Sequence, residues 1–146
     1  MSTQLTTYYR FTNSNSPMSD WGHAMFAEDR YKVENYGKNE YTITSDKTVD
    51  IYDIKDLIIN KWIECQENEY FGSLSETGYW LTVDAEEIFE SFNPTNIVDS
   101  AEGYDHDIVC WLWEMVLEPN NIMAVRTYDG AVCFDEELIE KIIEAV

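Results

Sequence analysis

The stretch from residue 20 to residue 41, DWGHAMFAEDRYKVENYGKNEY, limits the fold most strongly, because its pattern changes twice within a short distance. Its first part, residues 21–27, is apolar and aromatic, which is typical of a strand. Glu28–Asp29 predicts the start of a helix, since the helix dipole favours negative charge there. Gly37 predicts the helix end in a left-handed cap conformation. Residues 40–44 then predict another strand, which completes a strand–helix–strand unit.

The elements outside this unit are short, and strands and helices do not alternate strictly. Asp129-Gly130 lies between two apolar runs, which is typical of a hairpin turn. Residues 96–104 indicate a loop. We therefore predict an α+β fold with short-stranded sheets and about five helices, in a single domain over residues 1–146. The remaining predicted strands cover residues 5–11, 48–52, 79–83, 122–127 and 131–134, and the remaining helices begin near Asp53, Asp84, Asp105 and Asp135.

The formal net charge is −20, and it is unevenly distributed along the chain. Residues 62–146 contain twenty Asp and Glu residues, but only Arg126 and Lys141 are basic there. Such a field repels nucleic acid and favours basic partners. We therefore predict a protein target with a basic surface, such as a nucleic-acid-binding complex, without direct binding of nucleic acid. A role in solubility alone is the alternative.

Several features of the sequence predict a cytoplasmic protein. No run of 18 apolar residues is present, so we expect no contact with a membrane. The N-terminal MSTQLTTYYR lacks the pattern of a signal peptide. Cys65, Cys110 and Cys133 lie in apolar contexts and are predicted to be reduced core thiols. For a phage-encoded protein, the compartment is the cytoplasm of the host.

The sequence contains no strong local motif for catalysis. A P-loop, a GxGxxG loop, an HExxH helix and a CxxC pair are all missing. His106, between two aspartates, is interpreted as a residue at a helix start, and no metal site is predicted. Cys110 lies on or near an apolar helix face and is predicted to be a core residue and not a nucleophile.

Two segments nevertheless resemble a known family. Arg10 in TYYRF, the Ser/Asn-rich loop after it and then GHAMFAEDRYKVENYG resemble the start of an ADP-ribosyltransferase domain. The C-terminal VRTYDGAVCFDEELIEKI resembles the end of such domains. The resemblance covers roughly the first 45 and the last 30 residues. Small bacterial effectors and phage anti-defence proteins of the anti-CRISPR kind look similar.

The resemblance implies that the protein cleaves the nicotinamide–ribose bond of NAD and transfers ADP-ribose to a macromolecular target, which we expect to be a protein. Such a reaction uses an arginine on pyrophosphate, an aromatic wall for nicotinamide, and a carboxylate that stabilises charge developing on the ribose. The implied cofactor-binding residues are Arg10, Thr12, Phe26, Tyr31 and Tyr36, and the implied catalytic residues are Asp129 and His23.

The sequence departs from the family pattern at the catalytic carboxylate. The family usually carries a Glu on a late strand, whereas residues 121–134 contain no Glu, and Asp129 is their only acid. If Asp129 is not the catalytic acid, Glu114 or Glu118 would have to reach the site from the preceding helix. A retained fold without transferase activity, as in a toxin or immunity-type component, is a further alternative.

Each implied site residue also has a structural interpretation. Arg10 would form an ordinary salt bridge, His23 would be a structural histidine, and Asp129 would be the residue that the turn requires. The tyrosines would then be ordinary core or surface residues. In that case the protein is a non-enzymatic acidic inhibitor, a nucleic-acid mimic that binds a basic DNA- or RNA-binding protein.

Overall fold

The computed structural model describes residues 6–18, 23–74, 77–102 and 106–142. Strands and helices are mixed along the chain, which confirms the predicted α+β class. The chain divides into two compact units, of which the first comprises Met1–Val49 and Met123–Val146 and the second Asp50–Ile122. The prediction of one domain over residues 1–146 stays a prediction. Across the described ranges, no helix combines the length and the apolar character needed to cross a bilayer.

The first unit is built on one antiparallel sheet of six strands, in the order β4-β5-β2-β1-β3-β6. A short helix, α1, connects β2 to β3. The predicted strand–helix–strand unit is therefore confirmed over its described part, and its residues 20–22 lie outside the described residues. Leu5, where the first predicted strand begins, also lies outside them. The elements are β1 (Thr7–Thr12), β2 (Ala24–Ala27), α1 (Arg30–Val33), β3 (Asn39–Thr44), β4 (Ala124–Arg126), β5 (Gly130–Cys133) and β6 (Glu140–Ile142).

One face of this sheet carries the apolar core of the first unit. Neighbouring strands place Tyr8 opposite Ile43 and Phe26 opposite Ala131, so these side chains share a face. Met18, Leu138 and Ile139 are partly buried against the same cluster. The buried members of the cluster are Tyr8, Ala24, Phe26, Tyr41, Ile43, Ala124, Ala131 and Cys133.

Gly37 corrects one detail of the sequence prediction. Its φ is 176° and its ψ is 175°, so it is extended and not in the left-handed conformation that was predicted. A Cβ at this position would lie 2.2 Å from the carbonyl carbon of Thr12 and 2.5 Å from the nitrogen of Asn13. Glycine is therefore needed because two main chains approach each other closely, and not because of a helix cap.

The C-terminal strands confirm one prediction and overturn another. β4 and β5 form the hairpin predicted around Asp129-Gly130, where the nitrogen of Thr127 donates to the oxygen of Gly130 at 2.9 Å. The helix predicted after Asp135 is wrong, because Glu136–Leu138 forms a single 3-10 turn. The chain then becomes strand β6, whose main-chain pairing with β3 replaces the bonds of a helix.

The segment 48–52, predicted as a strand, contributes only one bridge to the sheet. Val49 pairs in parallel with Val125. Its nitrogen donates to Ala124 at 3.0 Å, and its oxygen accepts from Arg126 at 2.9 Å. Asp50 then caps a 3-10 turn at Ile51–Ile54, so the strand prediction is wrong beyond this bridge.

The second unit is helical. The loop predicted over 96–104 is wrong for Ile97–Glu102, which form a helix, while residues 103 and 104 lie outside the described residues. The helix predicted from residue 106 continues as a π-helical segment at Trp113–Leu117. Asp105, its predicted cap, lies outside the described residues. The helices are α2 (Lys55–Asn68), α3 (Thr77–Trp80), α4 (Ala85–Glu90, capped by Asp84 as predicted), α5 (Ile97–Glu102) and α6 (His106–Leu112).

Trp62 of α2 forms the centre of this unit. Its ring packs edge-on against Trp111 at 5.0 Å and Trp80 at 5.9 Å between ring centroids. Its Nε1 donates to the oxygen of Val83 at 2.9 Å. Gln66, one turn further along α2, donates to the same oxygen at 2.6 Å. These contacts explain why the strand predicted at 79–83 is wrong, since its carbonyls accept side-chain bonds from a helix and not the bonds of a sheet.

We expect Gly37→Ala to lower the free energy of unfolding by about 1–3 kcal/mol, the usual result of forcing extra atoms into a closely packed site. The matched control is Gly78→Ala, because a Cβ at Gly78 meets no atom within 4 Å. Alanine in this helical position should leave stability unchanged or raise it by up to about 1 kcal/mol. Urea unfolding of both variants measures the difference, and equal effects would contradict the close approach at Gly37.

Candidate functional site

The first unit contains an open cleft of about 620 Å³. We call it the tyrosine–carboxylate cleft. Its walls come from β1, from the segment that joins β2 to α1, from the start of α1, and from the turn between β4 and β5. The lining residues are Tyr9, Glu28, Asp29, Arg30, Tyr31, Lys32 and Asp129.

Main-chain pairing fixes the sides of the cleft. Tyr9 lies opposite Ala27 in the β1–β2 pair. The nitrogen of Glu28 donates to the oxygen of Asp129 at 2.8 Å, which joins the end of β2 to the hairpin turn. A Cβ at Gly130 would lie 1.8 Å from the oxygen of Phe26, so glycine permits this approach. The carboxylates of Glu28 and Asp129 therefore belong to residues whose main chains are hydrogen-bonded to each other.

The α1 side of the cleft is held by a cap and a clamp. The Asp29 carboxylate accepts from the nitrogen of Tyr31 at 3.0 Å, which caps the helix. Arg30 lies over the ring of Phe11, with 5.1 Å between the guanidinium carbon and the ring centroid. Its guanidinium donates to Glu34 at 3.0 Å and to Glu40 at 2.9 Å. The hydrogen bond to Glu40 raises the pKa of Arg30 above its ordinary value.

The free charges of the cleft are mainly negative. Arg30 is already paired with two carboxylates, as described above. Glu28, Asp29 and Asp129 are exposed, and none of them forms a salt bridge within the part of the chain that the structure describes. Lys32 is the one lining cation that is not paired with an acid among those described residues. The arrangement therefore favours a cationic ligand.

Exposed aromatic rings accompany these carboxylates. Tyr31 exposes 79% of its surface, and Tyr128, next to Asp129, exposes 84%. A tyrosine offers a large rigid contact surface with little loss of conformational entropy, and for this reason tyrosines are frequent in protein interfaces. The combination of rings and carboxylates is suited to binding a protein surface.

Of the residues predicted from the sequence, Asp129 and Tyr31 line the cleft together. Arg10 does not. It alternates with Tyr9 along β1 and therefore points to the opposite face of the sheet. Its Nε donates to the oxygen of Pro17 at 2.6 Å, and its Nη1 donates to the oxygen of Met25 at 3.4 Å. Arg10 thus holds the loop after β1 against the sheet.

The other predicted residues also lie outside the lining of the cleft. Phe26 is in the core of the first unit, and His23 is buried with 3% of its surface exposed. Thr12 ends β1 and accepts from the nitrogen of Ser14 at 3.1 Å. Tyr36 lies on the 3-10 turn Glu34–Tyr36 and is exposed. Their predicted roles toward a cofactor stay predictions.

The cleft also has five lining residues that were not predicted from the sequence, which are Tyr9, Glu28, Asp29, Arg30 and Lys32. The two acids were interpreted only as a helix start, although they directly follow β2 and so lie at an end of the sheet. That position was the available signal, because strand ends gather side chains from elements distant in sequence. The pairing of β2 with β5, which brings Asp129 to this point, has no local signal.

The second unit has a different kind of surface. It contains 17 acidic and two basic residues, a formal charge of −15. Lys55 pairs with Glu86 at 3.2 Å and Lys61 with Glu64 at 3.3 Å. The other described carboxylates have no cationic partner among the described residues. We call the exposed members the acidic surface, which consists of Asp53, Asp56, Glu64, Glu67, Glu69, Asp84, Glu86, Glu87, Glu90, Asp99, Asp107, Glu114 and Glu118.

The cysteine thiols are not activated. Burial raises the pKa of Cys65 and of Cys110, and burial raises the pKa of Cys133 to about 11. A thiol needs a lowered pKa to act as a nucleophile near neutral pH. Among the described residues, no group of three or more His, Cys, Asp or Glu side chains is arranged to hold a metal ion.

Comparisons with known proteins identify the fold. No model of a known protein family and no curated protein matches the sequence. A solved structure described as "Crystal structure of an anti-CRISPR protein" is similar, with a TM-score of 0.57 and 15% identity. The alignment covers 94% of this chain and 96% of that chain. The chain therefore has a fold similar to that of an anti-CRISPR protein.

The raised pKa of Cys133 leads to a pH-dependent stability. The thiol ionises near pH 9 in the unfolded chain and near pH 11 in the folded protein, so the folded state holds the proton more tightly. The contribution of the protonated thiol to the free energy of unfolding is fully present below about pH 9. It is lost as the pH rises to 11, which lowers the free energy of unfolding by up to about 3 kcal/mol. Unfolding at pH 8–11 should show a steeper loss for the wild type than for Cys133→Ala. Parallel curves would contradict the assignment.

Proposed function

We propose that the protein is an inhibitor of the anti-CRISPR kind, which acts by binding a basic, nucleic-acid-binding surface of a protein partner. The observation that supports this most directly is the acidic surface, whose carboxylates are exposed and largely unpaired within the described residues. The structural likeness to an anti-CRISPR protein supports the class of partner.

Charge gives a physical mechanism for such inhibition. An effector that binds DNA or RNA contacts phosphates with Lys and Arg side chains. Carboxylates spaced over a protein surface compete for the same cations and speed encounter with them. Because the same field repels phosphate, the protein itself does not bind nucleic acid directly. The site of action is the cytoplasm of the cell that contains the effector.

The charge mechanism predicts the effect of neutralising two carboxylates. We expect Glu67→Gln/Glu118→Gln to weaken binding roughly two- to thirtyfold, because each exposed charge pair contributes about 0.2–1 kcal/mol. The protein is first tested against a panel of CRISPR effector complexes to find one that it inhibits. Binding of the wild type and the variant to that purified complex is then measured at 50 and 200 mM salt. The variant should also show a weaker dependence on salt.

The matched control is Glu136→Gln/Glu137→Gln, which removes two exposed charges from the first unit. This control should bind within about twofold of the wild type, because its two residues lie outside the acidic surface. It should also stay folded, since substitutions at exposed positions usually change the free energy of unfolding by less than about 0.5 kcal/mol. Equal weakening by both pairs would show that only net charge matters, and unchanged binding by both would contradict the acidic surface as the interface.

ADP-ribosylation of a protein target with NAD is the second candidate function. The observation that favours it is the shared position of Asp129 and Tyr31 in one cleft, next to Tyr9. The other residues of the cleft fit a dinucleotide poorly. Three carboxylates line it, Arg30 is engaged by Glu34 and Glu40, and Arg10 is bonded to main-chain oxygens on the other face of the sheet. For this reason we derive no catalytic step through NAD.

Thermal unfolding with and without NAD tests this candidate. Transferase activity requires a saturable rise in the midpoint temperature, which Asp129→Asn or Tyr31→Ala should reduce. Our first proposal instead predicts no shift at 1 mM NAD, because a ligand stabilises only when its concentration approaches its dissociation constant, here expected to be well above about 1 mM. A saturable shift would favour the transferase.

A further inference from the structure

The tyrosine–carboxylate cleft is a second feature, separate from the acidic surface, that is suited to a positively charged group. We propose that the cleft binds one arginine side chain of the partner protein. The inference rests on the proposed function for the existence of that partner, but it rests on the geometry of the first unit for the chemistry of recognition.

The carboxylates supply the charge and the hydrogen-bond acceptors. The main-chain nitrogen of Glu28 donates a hydrogen bond to the main-chain oxygen of Asp129 at 2.8 Å, so the two side chains start from neighbouring positions. Both are exposed at the cleft and lack a salt bridge within the described residues. A guanidinium presents five N–H donors in a planar fork and can donate to two carboxylates at once.

The tyrosine rings distinguish a guanidinium from an ammonium. Tyr9 and Tyr31 line the same cleft, and Tyr31 is largely exposed there. A planar guanidinium is weakly hydrated and stacks on an aromatic face, whereas a lysine ammonium is a compact and strongly hydrated charge. The combination therefore favours arginine over lysine.

The protein already uses this chemistry in one wall of the cleft. Arg30 lies over the ring of Phe11 while it donates to Glu40, and β1–β3 pairing places Phe11 opposite Glu40. A ring and a carboxylate from adjacent strands thus hold a guanidinium within the chain. The cleft offers the same two kinds of group next to Arg30, whose own guanidinium is already engaged by Glu34 and Glu40.

Lys32 provides a test that depends on the sign of the ligand charge. It lines the cleft, is exposed, and is not paired with an acid in the described ranges. Removing its charge should strengthen the binding of a cation and weaken the binding of an anion such as the pyrophosphate of NAD. The two chemistries therefore predict opposite effects of a single substitution.

The experiment titrates the full chain with N-acetyl-arginine amide and follows amide shifts by NMR at low salt. We expect saturable shifts in residues 28–32 and 128–130, and none with the uncharged citrulline analogue. Asp129→Asn and Glu28→Gln should each weaken binding about tenfold or more, the usual effect of losing a hydrogen bond to a charged group. Lys32→Gln should strengthen it about two- to threefold.

The control is Lys47→Gln, which removes an exposed lysine that does not line the cleft and should leave binding unchanged. Asp129→Asn preserves an Asn-Gly turn, and thermal unfolding checks that each variant is folded. Equal shifts from the citrulline analogue would overturn the proposal. Weaker binding by Lys32→Gln, together with binding of inorganic pyrophosphate, would also overturn it.

Inhibition assays separate this proposal from the proposed function. If the wild type blocks a CRISPR effector and Asp129→Asn/Glu28→Gln blocks it equally well, the arginine site is wrong and the inhibitor function stands. If the arginine probe binds as expected and no effector is bound or blocked, the inhibitor function is wrong and the guanidinium site stands.

Discussion

The close approach of two main chains at Gly130 is the constraint on which the first unit depends. A Cβ there would lie 1.8 Å from the oxygen of Phe26, so only glycine lets β5 pair with β2 at this point. That pairing brings the β4–β5 hairpin into the sheet and joins Asp129 to Glu28. The cleft exists because the hairpin turn, the end of β2 and α1 meet here.

Features governed by neighbouring residues could be predicted from the sequence. The Asp129-Gly130 hairpin and the helix starts near Asp29 and Asp84 rest on turn and cap chemistry that acts over a few residues. Features governed by distant partners could not be predicted in this way. Residues 79–83 have strong strand propensity, yet Trp62 and Gln66 bind their carbonyls and the segment begins in a helix.

The candidate site follows the same division. Asp129 was predicted as the only acid of its hairpin, and Tyr31 as part of an aromatic set, and both line the cleft. Arg10 was predicted to contact a phosphate, which stays a prediction, and its guanidinium donates to the main-chain oxygen of Pro17 in the loop after β1. The path of that loop depends on tertiary contacts such as the bond from Tyr41 to the oxygen of Asn15, which no local pattern reveals.

Under our proposals, the two units provide different means of binding a basic partner. The second unit presents many exposed carboxylates, which act at a distance and without precise geometry. The first unit presents a few carboxylates and tyrosines in a defined cleft, which suits a single side chain. Long-range attraction and local recognition are distinct contributions in protein association, the former governing the rate of encounter and the latter the lifetime of the complex.

A titration of CRISPR effector cleavage tests the central claim most directly. Increasing amounts of the full chain are added to a fixed concentration of the effector complex that the protein inhibits, with and without NAD. Cleavage of target nucleic acid is then measured. Our account predicts that inhibition is stoichiometric, independent of NAD and reversed by high salt. Inhibition by far less than one molecule per complex, with a requirement for NAD and a lasting modification of the effector, would contradict it.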